Sequence, residues 1–203
     1  MQRKEFLVTG LMAGIAVTGL GKSLSNTSEK PSLKPFYLPP DAAPLDHEGD
    51  VAIRVKVRSS QTNLQYSCVD VAVAPRTMGP APHLHDALDE LMYVHEGTMH
   101  VLVGKEVYEV KAGGWHFRPR GIVHTFWNAS NDVTRCTDMY FNQNFEDFLE
   151  ELFFKIKPEM KSKNLSPMDP VIAQRLAVLD KKFGMKHFPE QRQAIVEKYG
   201  LKR

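Results

Sequence analysis

From Val51 onward, apolar and polar residues alternate with a period of two. Val51, Ile53, Val55 and Val57 fall on one face and Ala52, Arg54, Lys56 and Arg58 on the other, as a half-exposed strand requires. A second strand is predicted over 64–74, with Val69, Val71 and Val73 on one face. Residues 99–103 and 106–110 flank Gly104-Lys105, and a two-residue glycine-containing loop between such runs marks a tight hairpin. Another strand is predicted over 133–141. Short strands joined by glycine turns, with no helices between them, predict a sandwich or a barrel of six to eight strands.

The period then changes to that of a helix. Phe145, Phe148, Leu149, Leu152, Phe153 and Ile156 share one face, and Pro158 is expected to end the run. Asp169-Pro170 reads as N-cap and first helical residue of a second helix, striped by Ile172, Leu176, Leu179 and Phe183. A third begins at Pro189 and ends near Tyr199. Gly184-Met185 and Gly200-Leu201 each read as a helix C-cap followed by its hydrophobic contact. The stripes are expected to pack on the barrel or on a second subunit.

Upstream of Val51 neither period holds. Residues 26–50 contain five prolines (31, 35, 39, 40 and 44) and read as an extended arm or linker. Residues 1–25 have the layout of an export signal: Arg3-Lys4, an apolar stretch from Phe6 to Leu20, then Lys22 and small polar residues. Arg3-Lys4-Glu5-Phe6-Leu7 resembles a twin-arginine signal with Lys at the second arginine, and the stretch is short for a membrane span. The expectation is a periplasmic protein with no stable span after processing. Sec export, an uncleaved anchor and a cytosolic protein with a buried N-terminal helix stay as alternatives. The domain plan is therefore 1–25 signal, 26–50 arm, 51–142 barrel and 143–203 helical extension.

Composition narrows the partners. The 203 residues carry a net charge of +2, but residues 155–203 hold 12 Lys/Arg against 5 Asp/Glu. That basic end reads as a solvated helical face. With no run of five like charges and no aromatic–basic alternation, no nucleic-acid partner is expected. The two cysteines, Cys68 and Cys136, exclude a CxxC zinc site.

The candidate chemistry lies among the eight histidines (47, 83, 85, 95, 100, 116, 124 and 187). His83 and His85 are two residues apart, so on a strand both imidazoles point to one face. Glu90 follows five residues later, and His124 comes from a distant hairpin behind Pro119-Arg120-Gly121. Three imidazoles and a carboxylate offer a site for one divalent transition metal, with Fe, Mn, Ni, Cu and Zn all acceptable.

The frame around these residues resembles the cupin superfamily in both of its motifs. The first is Gly79-Pro80-Ala81-Pro82-His83-Leu84-His85, Glu90 after four residues and Gly97 after six. It departs in having three residues between Gly79 and His83, where the family usually has five. The second, Gly113, then Pro119-Arg120-Gly121, His124 and Asn128, fits at every fixed position. The resemblance covers about residues 50–142. It implies a mainly β cupin jelly-roll barrel (a double-stranded β-helix) with C-terminal α-helices. It also implies the metal ligands His83, His85, Glu90 and His124. By the family's strand order Cys68 and Cys136 lie on neighbouring strands, which admits a disulfide if register sets them opposite. Free buried thiols are the alternative. His116 sits within the second motif, as a candidate support to the ligands. A homodimer is expected, since cupin barrels often pair through sheet edges.

Strand parity from Glu90 turns Met92 and Val94 inward and Tyr93 outward, and parity from His124 turns Phe126 inward. Met139 and Phe141, with Trp115 and Phe117, are expected to close the same substrate pocket. Such apolar walls suit a small, largely apolar or aromatic substrate. The chain resembles quercetin-dioxygenase-like single-domain cupins, which implies a metal-dependent dioxygenase-like oxidoreductase, with Glu90 also taking a substrate proton. A metal-dependent isomerase, epimerase or lyase of sugars or keto acids, and a non-enzymatic metal- or ligand-binding cupin, stand as alternatives.

Overall fold

The computed structural model describes residues 32–47 and 49–202. The export-type segment expected at 1–25, and the start of the arm, lie outside them. Residues 32–46 of the arm carry no helix or strand, as its prolines require. Its end is fastened to the first strand, where Asp41 pairs with Arg54 at 2.9 Å and Lys56 at 2.6 Å.

The strands run in order β1 (Val51–Val57), β2 (Tyr66–Val73), β3 (Thr77–Met78), β4 (His83–His85) and β5 (Asp89–Glu96). They continue as β6 (Thr98–Val103), β7 (Glu106–Lys111), β8 (Trp115–Arg118), β9 (His124–Asn128) and β10 (Thr134–Phe141). Helices α1 (Phe145–Glu151), α2 (Lys157–Lys163) and α3 (Pro170–Phe183) follow, then β11 (Met185–His187) and α4 (Arg192–Tyr199). One sheet has the order β1-β2-β10-β5-β8; the other is β11-β4-β9-β6-β7, with β3 paired to β9. All pairings are antiparallel. Two such sheets facing across a shared core form the cupin jelly roll, with helices gathered at the C-terminal end. The described residues hold eleven strands, more than the six to eight expected, because β3, β4 and β11 are too short to announce themselves by alternation.

Local chemistry explains the boundaries. Strand β2 starts at Tyr66 and not at 64, since Asn63 (φ 51°) and Leu64 (φ 62°) are left-handed and cannot extend a ladder. Pro158 does not end the first helix. A π-helical turn over Leu152–Ile156 precedes it, and the Lys157 N–H reaches back to the Leu152 carbonyl. This wider turn accommodates a residue with no N–H, and the helix runs on to Lys163. The later stops fall where expected: Gly184 (φ 63°) and Gly200 (φ 59°) are left-handed caps, with Met185 and Leu201 buried behind them.

One apolar core joins barrel and helices. Val69, Met92, Val94, Met99 and Val101 share it with Phe145, Phe148, Ile156, Ile172 and Phe183, so the helical stripes pack on the barrel. Polar latches set their position. Glu146, at the start of α1, accepts hydrogen bonds from Ser59 N (2.7 Å) and Oγ (2.6 Å), and Arg58 forks onto Glu150. Helix α4 covers the opposite wall, where Val196 and Leu201 bury Trp127 and Met78.

Candidate metal centre

Strand β4 turns His83 and His85 inward with Leu84 between them facing out, and both imidazoles are buried. Across the β4–β9 ladder His83 lies opposite His124. Glu90 reaches in from β5 of the other sheet, so the cluster bridges the two walls. The Pro119-Arg120-Gly121 turn delivers His124 and is tied to the first pair, since the Gly121 N–H donates to the His85 carbonyl at 2.8 Å. Asn128, at the end of the second motif, is fully buried. Its amide donates to the carbonyls of Val73, Ala74 and Asp132 and accepts from Ser130, fixing the end of β9.

The donor atoms of His83, His85, Glu90 and His124 lie within 4.8 Å of one another. His83 Nδ1 donates to the Ala81 carbonyl and His124 Nδ1 to that of Ile122, each at 2.9 Å. A carbonyl only accepts, so Nδ1 carries the proton and Nε2 presents its lone pair. His85 Nε2 is 3.0 Å from Glu90 Oε1, and His124 Nε2 is 3.4 Å from Oε2. Neither contact is aligned as a hydrogen bond, and both nitrogens are buried without a partner. Buried lone pairs left unsatisfied are costly unless an ion takes them. The donor set therefore fits one divalent transition metal.

Three residues that periodicity did not single out complete the electrostatics. Arg118 is fully buried on β8, with Nη2 2.5 Å from Asp138 Oδ1 and 3.0 Å from Glu90 Oε2. Burial opposes the charge on Glu90, but the Arg118 guanidinium beside it holds its carboxyl well below the usual range. One guanidinium serves two carboxylates, and burial pushes Asp138 up to about 6. Burial, reinforced by His124 and His85, holds His83 well below the ordinary imidazole value. The third residue, Tyr140, stands opposite Glu90 across the β10–β5 ladder.

A cavity of about 280 Å³ opens on this cluster. His83, Glu90, Asp138 and Tyr140 form its polar end, and Phe126, Phe145, Phe148, Leu149 and Met185 lie along its apolar wall. Phe126 is thus where parity placed it, packed so closely on Gly79 that a Cβ there would meet its ring at 2.6 Å. Met92 and Val94 are inward but sit in the core and do not line the cavity. Met139 and Phe141 lie on the opposite face of β10, which turns Cys136, Asp138 and Tyr140 inward. Trp115 and Phe117 are exposed on the outer face of β8 for the same reason. The helical cap supplies the aromatic wall instead. A larger, open groove between α1 and α3 is lined by charged residues such as Glu150 and Arg175, away from the ligands.

The remaining expectations resolve by register. Cys68 and Cys136 are on neighbouring strands, but Cys68 pairs with Met139 and Cys136 with Val71. Cys136 faces inward and Cys68 outward, and both thiols are free, so no disulfide forms. His95 bonds Thr137 on the outer face, and His100 stacks on Trp127 at 5.6 Å. His116 is half-buried against Tyr108, and burial lowers it to about 4. None of these three joins the cluster.

Retention of metal should follow imidazole protonation. Protons compete with the ion for Nε2, so occupancy falls as pH falls through the pKa values of the ligands. The depressed pKa of His83 places the release midpoint below about 6.5, the free imidazole value. Metal content measured after dialysis between pH 8 and pH 4 checks this. A release midpoint above that value would argue against ligation by these buried imidazoles.

Residues 69–140 match the family model described as "Cupin domain". A search of curated proteins gave no significant match. Among solved structures the chain is similar to KdgF from Halomonas sp., at 17% identity and TM-score 0.44, over 51% of this chain and 88% of that one. A protein from Thermus thermophilus, TT1209, shares 23% identity at TM-score 0.41, over 49% and 89% of the two chains. The polyketide cyclase RemF from Streptomyces resistomycificus shares 23% at 0.41, over 46% and 66%. Likenesses this distant say nothing about what this chain does. The strand topology and the match to the family model over residues 69–140 support the cupin superfamily for this jelly roll.

Proposed function

We propose that this chain is a metal-dependent oxidoreductase of the dioxygenase type, acting on a small, largely apolar or aromatic substrate. The observation that carries this reading is the aromatic-walled cavity, closed over by helices, with its polar end at the His83–His85–Glu90–His124 cluster. An ion held there supplies a redox-active Lewis acid. The chain's own residues do the rest. Phe126, Phe145 and Phe148 bind a flat apolar body and exclude water. Arg118 keeps Glu90 ionised, the form in which it can be a ligand. At the outer end Lys157 pairs with Asp50 at 2.7 Å and lies over Phe153, closing the wall between α2 and the first strand.

A second reading, a metal-dependent isomerase or lyase, is favoured by Asp138 and Tyr140 reaching the cavity beside Glu90. Oxygen uptake separates the two. Protein loaded in turn with Fe, Mn, Ni and Cu is expected to consume O2 with at least one flavonol, catechol or 1,3-diketone, and not to do so after chelation. No uptake with any compound, together with solvent-deuterium exchange into a diketone, would favour the second reading.

A further inference from the structure

The polar groups that line the cavity can be accounted for one by one. Asp50 and Lys157 bind each other, Asp138 is held by Arg118, and His83 and Glu90 belong to the ligand cluster. That leaves Tyr140. It is buried, lines the cavity, and its phenol makes no hydrogen bond to any described residue. Opposite positions on an antiparallel pair have Cβ atoms about 4.5–5.5 Å apart, so Tyr140 and Glu90 stand side by side on the inner face. Phe145 packs on both Tyr140 (5.0 Å) and His85 (4.9 Å), which holds the phenol ring at the ligand end of the cavity. Buried phenols ordinarily find a partner. Here the cavity is where that partner would be.

We infer that Tyr140 donates a hydrogen bond to a substrate oxygen beside the one that faces the metal ligands. The site then selects flat apolar compounds bearing two neighbouring oxygens, such as vicinal diols of aromatic rings or enolised ketones, over those bearing one. This rests on the substrate reading proposed above. Binding makes the donor specific: a site built to hydrogen-bond an oxygen discriminates against the analogue that lacks it.

Zinc-loaded protein, which cannot turn over by oxidation, is titrated with 4-nitrocatechol and with 4-nitrophenol, following the nitroaromatic absorption. In Tyr140→Phe the Kd for 4-nitrocatechol is expected to rise about tenfold, the equivalent of roughly 1.4 kcal/mol. The Kd for 4-nitrophenol should change less than about twofold, the loss being confined to the second oxygen. Zinc content should stay as in the parent. Equal affinity of parent and variant for 4-nitrocatechol would overturn the role of Tyr140 while leaving the substrate reading intact. Failure of the parent to bind either probe would overturn the substrate reading and this inference with it.

Discussion

Arg118→Met is expected to lower the stability of the metal-free protein by about 3–5 kcal/mol, the usual cost of leaving buried charge without its partner. The guanidinium is fully buried, contacts Asp138 and Glu90, and lies 5.6 Å above the Phe126 ring. Methionine fills much of the same volume, so the loss is electrostatic rather than a cavity. The sign of its pH dependence follows from the acids. Asp138 already sits near 6 in the fold, above its ordinary 3.8, because burial opposes its charge. A carboxyl whose folded pKa is raised binds more protons folded than unfolded, so its unfavourable contribution appears as pH rises from about 3.8 through 6. Without Arg118 Asp138 shifts further up and Glu90 loses the charge that holds it down, so the loss grows from pH 5 to pH 8. Urea midpoints at the two pH values measure it. Adding Asp138→Leu to Arg118→Met removes one orphaned carboxylate and should recover part of the loss. A midpoint unchanged by Arg118→Met at pH 8 would show that the buried ion network contributes nothing.

This network leaves little trace in the sequence pattern. The four ligands were legible because a two-residue spacing on a strand puts His83 and His85 on a common face whatever the register, and because the resemblance to the two cupin motifs implies Glu90 and His124. Strand β10 presents the reverse of its expected faces for a physical reason. Its apolar members Met139 and Phe141 face out, while Asp138 and Tyr140 face in, the reverse of ordinary core patterning. Functional sites are where that rule breaks, since a buried carboxylate ligand needs a counter-charge beside it. Helices were legible from their stripes, but not where they sit. Nothing in the spacing of Phe145 and Phe148 says that they close the mouth of the barrel. The strand Met185–His187 was missed because three residues carry no period; its pairing puts Met185 opposite His85 and into the cavity wall.

His83→Ala and His124→Ala should each reduce bound metal from near one per chain to almost none, with affinity falling by at least about 100-fold. Mutation of mere supporting partners already costs about 10–100-fold, and these two are ligands in their own right. The geometry makes them comparable. They face each other across one ladder, and each has Nδ1 fixed to a carbonyl two residues back; His187, whose ring lies 6.0 Å from that of His83, is held by Asp180 at 3.1 Å. His100→Ala and His95→Ala serve as controls, since those rings stack on Trp127 or bond Thr137 on outer faces, and both should retain full metal. Loss of fold is distinguished from loss of a ligand by His124→Gly with added imidazole. The free ring can occupy the vacated volume and restore binding only if the rest of the cluster is intact. Elemental analysis after gel filtration reads all five variants on one scale. Undiminished metal in both alanine ligand variants would remove the ion from this cluster, and with it the oxidoreductase reading. Loss in those variants with recovery by imidazole would instead tie the ion to the position where β4 and β9 meet, at the polar end of the cavity.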